Sequence, residues 1–156
     1  MLKGKKGVTL VLLVVAIILM LIIFGVTISA GTDLIKNSEK NRLMTNLYLI
    51  RSKAATLLED YLFDKTDESL ENLGEQVTSA QISEVGFIEE RSSEYIYCVW
   101  NEDKLVEQGI NTEDVASTES FIIQYNITRD TVDVASTKGY ENAGNTIYVL
   151  SELEEN

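Results

Sequence analysis

Histidine and proline are absent from this 156-residue chain, cysteine occurs once, and 13 Lys and Arg stand against 25 Asp and Glu. With no His and with Cys98 alone, Ser-His and Cys-His nucleophile pairs are excluded, as are zinc sites built on imidazole or thiolate clusters. Haem ligation by His and an intrachain disulfide are excluded on the same ground. Any catalysis would fall to carboxylates, lysines or tyrosines. The formal charge of −12 speaks against a nucleic-acid partner, because phosphate contacts need a basic surface. Without proline, no kink or helix start can be assigned to that residue. The length fits one domain with a short appendage and speaks against a two-domain enzyme.

What is present is sharply partitioned. Lys3, Lys5 and Lys6 are the only charged side chains before Asp33, and every acid lies at Asp33 or later. From Gly31 onward 10 basic residues face 25 acidic ones, a formal charge of −15. Between these regions, Val8 to Ala30 carries no charge. As a helix this run of roughly 23 residues is about 34 Å long, matching a hydrocarbon core of about 30 Å. A buried helix of a soluble core would keep a polar face, which this run lacks. The lysines place Met1 to Gly7 on the cytoplasmic side and the acidic body outside. A secretory signal peptide competes, with Ile28-Ser29-Ala30 as a poor cleavage site. Its apolar region normally covers only about 7 to 15 residues, however.

The sequence Lys6-Gly7-Val8-Thr9-Leu10, a basic leader ending in Gly before a long aliphatic helix, resembles the class III leader of type IV prepilins and pseudopilins. The resemblance covers about the first 30 residues. It implies cleavage by a prepilin peptidase between Gly7 and Val8, on the cytoplasmic side, and N-methylation of Val8. It also implies a subunit that waits in membrane lipid before packing with other pilin-like subunits. The family usually has Glu at the fifth mature residue, where this chain has Leu12, as in Gram-positive-type variants. That Glu is thought to meet a neighbouring subunit's terminal amine, and its loss points toward a minor or tip role.

Beyond Gly31 the apolar residues Leu43, Leu47, Ile50, Ala54, Leu57 and Tyr61 alternate at spacings of four and three, one stripe of an amphipathic helix. Leu58 and Leu62 widen it. The pattern predicts a helix over 32–62, and joined to the apolar run it gives a helix of about 80 Å. Gly25 and Gly31, each costing about 1 kcal/mol against Ala, predict a bend or melted turn. A core face is the preferred reading of the stripe over a coiled coil, which so few heptads hardly support.

After Leu62, residues 64–68 read as a loop and helix start, and Ser69 to Gln81 as a short second helix. Val85 to Glu90 and Tyr95 to Trp100 read as strands flanking a turn at Arg91 to Glu94. Ile96, Cys98 and Trp100 fall on one face of the second strand, Tyr95, Tyr97 and Val99 on the other. Phe121, Ile123, Tyr125 and Ile127 alternate along a further strand. A turn at Arg129-Asp130 leads to Thr131 to Ala135, a loop over Ser136 to Asn145 and a last strand over Thr146 to Leu150. The fold class is therefore α+β, a long N-terminal helix packed on an antiparallel sheet of four or five strands over about 85–150. This is also the pilin architecture. The organisation read from the chain is a leader over 1–7, a membrane or filament-core helix over 8–30 and an extracellular domain over 31–156.

Chemical motifs are few. Asp64, Asp67 and Glu68, and separately Glu113 and Asp114, offer oxygens for calcium but lack the order of a calcium loop, so a solvated acidic face is the better account. Cys98 reads as a buried free thiol. Asn126-Ile127-Thr128 fits a glycosylation sequon and is ascribed to chance. No catalytic, cofactor-binding or metal-binding residue is assigned. Two functions remain: a structural subunit of a type IV pilus, competence pilus or secretion pseudopilus, or a single-pass anchored extracellular binding domain that never assembles.

Overall fold

The computed structural model of the chain describes residues 5–87, 93–113, 115 and 118–155, the side chains of 5–11 and 23–33 excepted. The chain divides into two units, Met1–Lys40 and Asn41–Asn156. Helix α1, Lys5–Asp64, runs unbroken for 60 residues, so the melted turn expected at Gly25 and Gly31 is not found. Two glycines at about 1 kcal/mol each do not offset the run of backbone hydrogen bonds on either side.

The second unit is built on the last part of α1. Leu47, Ile50, Ala54 and Leu58 are buried at 1% exposure or less, with Leu43, Leu57 and Tyr61 packed at their margins. The stripe read from the sequence is therefore the core face. It meets a five-stranded antiparallel sheet in simple meander order: β1 (Glu75–Gln76), β2 (Tyr95–Trp100), β3 (Phe121–Asn126), β4 (Thr131–Asn142) and β5 (Asn145–Val149). Cys98 and Trp100 from β2, Phe121, Ile123 and Tyr125 from β3, and Val134 from β4 belong to the same buried cluster as the helix stripe. Their period of two puts them on one face.

The other sheet face is covered as well. Ile82 of α3 (Ser79–Glu84), with Val85 and Phe87 after it, packs on Ile122, Ala135 and Val149, with Tyr97, Val99 and Tyr148 at the margin. This explains one departure from the sequence reading. Val85 and Phe87 alternate as a strand would, but they flank Gly86, whose φ of +84° turns the chain at the end of α3, and are buried against the sheet rather than hydrogen-bonded into it. Residues 88–92, the rest of that expected strand and part of its turn, lie outside the described residues.

Ser69 to Gln81 is not one helix. It contains most of α2 (Asp67–Asn72), then β1 and the first turn of α3. Two capping boxes set the starts: Thr66 Oγ1 accepts from the Ser69 N–H at 3.1 Å, and the Thr78 N–H donates to Gln81 Oε1 at 3.0 Å. Between them Leu73 is buried completely and its carbonyl accepts from Trp100 Nε1 at 2.7 Å and Tyr125 Oη at 2.9 Å. Gly74, with φ +129°, then turns the chain out of the helix.

Ser136 to Asn145 is not a loop either. β4 continues to Asn142 through an irregularity between Ala135 and Tyr140. Ser136 Oγ accepts from the backbone N–H of Lys138 at 3.1 Å and of Gly139 at 3.3 Å, satisfying amides that the bulge frees from the ladder. The same hydroxyl donates to the buried Glu119 carboxylate at 2.6 Å. Polar residues that look like loop formers here serve a bulged strand. Two short helices had no sequence expectation, α4 (Glu102–Glu107) and α5 (Leu150–Glu155). The expected last strand thus ends at Val149, and Leu150 and Leu153 return to the core from α5. Arg51 Nη2 holds Glu154 Oε1 at 3.3 Å while its guanidinium lies 5.0 Å from the Tyr48 ring centre, an exposed tie between α1 and α5.

The β4–β5 hairpin turns on Ala143 (φ +50°) and Gly144 (φ +87°). Positive φ at both central residues is the type I′ pattern, which Asn-Gly fits and Ala does not. Ala143→Asn is therefore expected to raise stability by about 1 kcal/mol, read as a higher denaturant midpoint. An unchanged or lower midpoint would contradict this account of the turn.

Candidate functional site

The sequence points first to the start of α1. Gly7 and Val8 lie within the helix backbone, and their side chains are outside the described set. The first turn holds Lys5 and Lys6 and no acid.

Leu12 is 63% exposed, and so are its neighbours: every residue from Leu12 to Ile22 is exposed, the large side chains at 46–66%. A soluble helix hides an apolar stripe and shows a polar face. Here no polar residue occurs on any face of the described run. Each such side chain gains about 1.5–3 kcal/mol when taken out of water, so the segment demands an apolar surrounding. Among the described residues no helix is long and apolar enough to cross a membrane. The described side chains of the 8–30 run are those of Leu12 to Ile22, and the rest of the expected span lies outside them.

The acidic residues weighed as calcium ligands have other duties. Asp64 Oδ1 accepts from the Thr66 N–H at 3.3 Å, and hydrogen bonding, chiefly from Ser69, lowers its pKa. Asp67 and Glu68 occupy the first turn of α2, where the helix dipole favours carboxylates. Glu113 is held in a local turn by Asn111, whose Oδ1 accepts its N–H at 2.9 Å, while Asp114 lies outside the described residues. Among the described residues no three metal-ligating side chains converge.

Asn126 of the sequon is buried, and its Oδ1 accepts from the N–H groups of Thr128 at 3.1 Å and Arg129 at 2.9 Å. It shapes the expected turn, in which Asp130 has φ +53°. Cys98 is completely buried under α1, and burial pushes its thiol from 9.0 up to about 12. Burial also raises the Tyr125 hydroxyl. In the unfolded chain Cys98 ionises near 9.0, whereas in the folded chain it resists until about 12, so its contribution to stability is present below pH 9 and is lost between these values. Cys98→Ala should flatten the fall in stability across that window, measured by denaturation at pH 8 and above pH 9. A slope as steep as the native one would contradict the assignment to Cys98.

A surface cleft of about 580 Å³ adjoins the edge strand β1. Leu70 and Val99 give it apolar walls, and Glu71, Glu75, Asp103 and Glu107 give it carboxylates. Lys104 neutralises one of these through a 2.8 Å contact with Glu107 Oε1. The sequence offered no sign of this convergence, because its residues come from four elements and α4 had no detectable periodicity. Comparison with protein-family models, curated proteins and solved structures finds no match to this chain.

Proposed function

We propose that the chain is a pilin-like structural subunit, possessing no catalytic activity, of a type IV pilus, competence pilus or secretion pseudopilus. One observation carries the proposal: a single helix, described from Lys5, is apolar on every side from Leu12 to Ile22 and becomes the amphipathic core helix of an α+β domain at Leu47 to Leu58. The first part suits lipid before assembly and a bundle of like helices afterwards. The second part belongs to the core of an acidic domain. The leader supports cleavage between Gly7 and Val8 with methylation of Val8, and the lysines support a cytoplasmic N-terminus and an extracellular domain. The partners on this reading are the prepilin peptidase, membrane lipid and other pilin-like subunits.

Leu12 favours a second reading, a single-pass anchored extracellular binding domain. A terminal amine brought into an apolar filament core is a buried charge, and Leu12 provides no carboxylate for it. A minor or tip position, where the amine is less enclosed, reconciles Leu12 with assembly. Shearing cells that contain the peptidase and assembly machinery distinguishes the readings. The subunit is expected in the released filaments, in small amount if it is minor, whereas complete retention in the membrane supports the anchored domain.

A further inference from the structure

The charge of the Asn41–Asn156 unit is divided within α1, between its stretch up to Leu58 and everything from Glu59 onward. Arg42, Arg51 and Lys53 are the charged side chains from Asn41 to Leu58, while from Glu59 onward 5 basic residues face 23 acidic ones, a formal charge of −18. Arg42, Leu49 and Lys53 are separated by seven and four residues and so share one side of the helix, away from the buried Leu47, Ile50 and Ala54. All three are exposed, Leu49 at 50%. An apolar side chain between two cations, about 16 Å apart along the axis, is thus presented on a body that is otherwise strongly negative.

The cleft beside β1 has the complementary pattern. Leu70 and Val99 line it together with Glu71, Glu75 and Asp103, for which no cation is close enough among the described residues to form an ion pair. We propose that the Arg42–Leu49–Lys53 face of one copy docks into the Glu71–Glu75–Asp103 cleft of the next. Bodies of this charge repel one another at most approaches, and bringing a basic helix face to an acidic cleft is the approach that attracts. The two surfaces belong to different elements, so the contact is heterologous and extends into an open chain unless a rotation closes it. The inference rests on the filament reading above and names the surfaces by which its subunits would join.

The test uses the full chain in detergent micelles. Two cysteine pairs, Lys53→Cys with Asp103→Cys and Leu49→Cys with Glu75→Cys, replace exposed residues and leave the core intact. Mild oxidation is expected to give a ladder of covalent multimers beyond the dimer, and each single-cysteine variant no more than dimers. On the second pair, Lys53→Glu should cut the ladder about fivefold, and adding Asp103→Lys should restore it. Raising salt from about 0.05 M to about 0.5 M should weaken it too. No ladder from either pair overturns the contact, and a ladder indifferent to Lys53→Glu overturns its electrostatic basis. Filaments of processed chain without a ladder defeat this contact alone. A ladder from chains that retain Met1 in cells containing the peptidase supports the contact and defeats the pilin reading.

Discussion

Trp100→Ala is expected to destabilise the domain by about 3–5 kcal/mol, a large part of the 5–15 kcal/mol that folded proteins typically possess. The ring is fully buried between α1 and the sheet, so truncation leaves a cavity in the main cluster. Its Nε1–H also donates to the Leu73 carbonyl at 2.7 Å, the bond that helps hold the α2–β1 junction against β2. Tyr125 Oη remains as the other donor to that oxygen, at 2.9 Å, so the carbonyl is weakened rather than orphaned. Trp100→Phe separates the terms, since it keeps an aromatic ring and loses the N–H, and should cost about 1–3 kcal/mol. Denaturant midpoints of the full chain in detergent, followed by near-ultraviolet dichroism of the tyrosines, measure both. A loss below about 1 kcal/mol for the alanine variant would contradict this packing.

Gly74→Ala should be nearly as damaging, by about 2–5 kcal/mol, although it adds only a methyl group. At φ +129° a side chain is strained wherever it points. Here it would also come within 2.9 Å of Trp100 Cδ1, 3.0 Å of Trp100 Nε1 and 3.1 Å of Cys98 Cβ. None of these atoms is the free end of a flexible chain. Gly109→Ala supplies the comparison, with φ +72° and nothing within 4 Å of the added carbon, so it carries the backbone strain alone. A smaller loss at Gly74 than at Gly109, by denaturant midpoint, would show that the Trp100 contact yields easily. Because Gly74, Leu70 and Glu75 line the cleft, both core variants should also reduce the cross-linked ladder.

The parts of the fold that were legible have long periods and one clear apolar side. Leu47, Ile50 and Ala54 marked the buried helix face, and Phe121, Ile123 and Tyr125 the face of β3, because many residues repeat one geometric instruction. What was missed is short or depends on distant partners. α2, α3, α4 and α5 have six residues each, too few to show a helical period. The break at Gly74 depends on Trp100 and Tyr125, 26 and 51 positions further along, which capture the Leu73 carbonyl. Ser136 to Asn145 has a loop's composition, yet Ser136 and Gly139 make it a bulged strand. Gly7, Val8 and Leu12 are named by sequence resemblance alone, and the role proposed for them is chemical processing and assembly rather than folding. The cleft was invisible for the same reason as the break, since carboxylates far apart in sequence meet only through the sheet.

The N-terminus of the chain tests the central claim most directly. Mass spectrometry of the protein extracted from membranes of cells that contain a prepilin peptidase should find a chain beginning at Val8 with a methylated amine. A chain that begins at Met1 in those cells would contradict the pilin reading and support the anchored domain, and one that begins at Gly31 would identify an ordinary signal peptide.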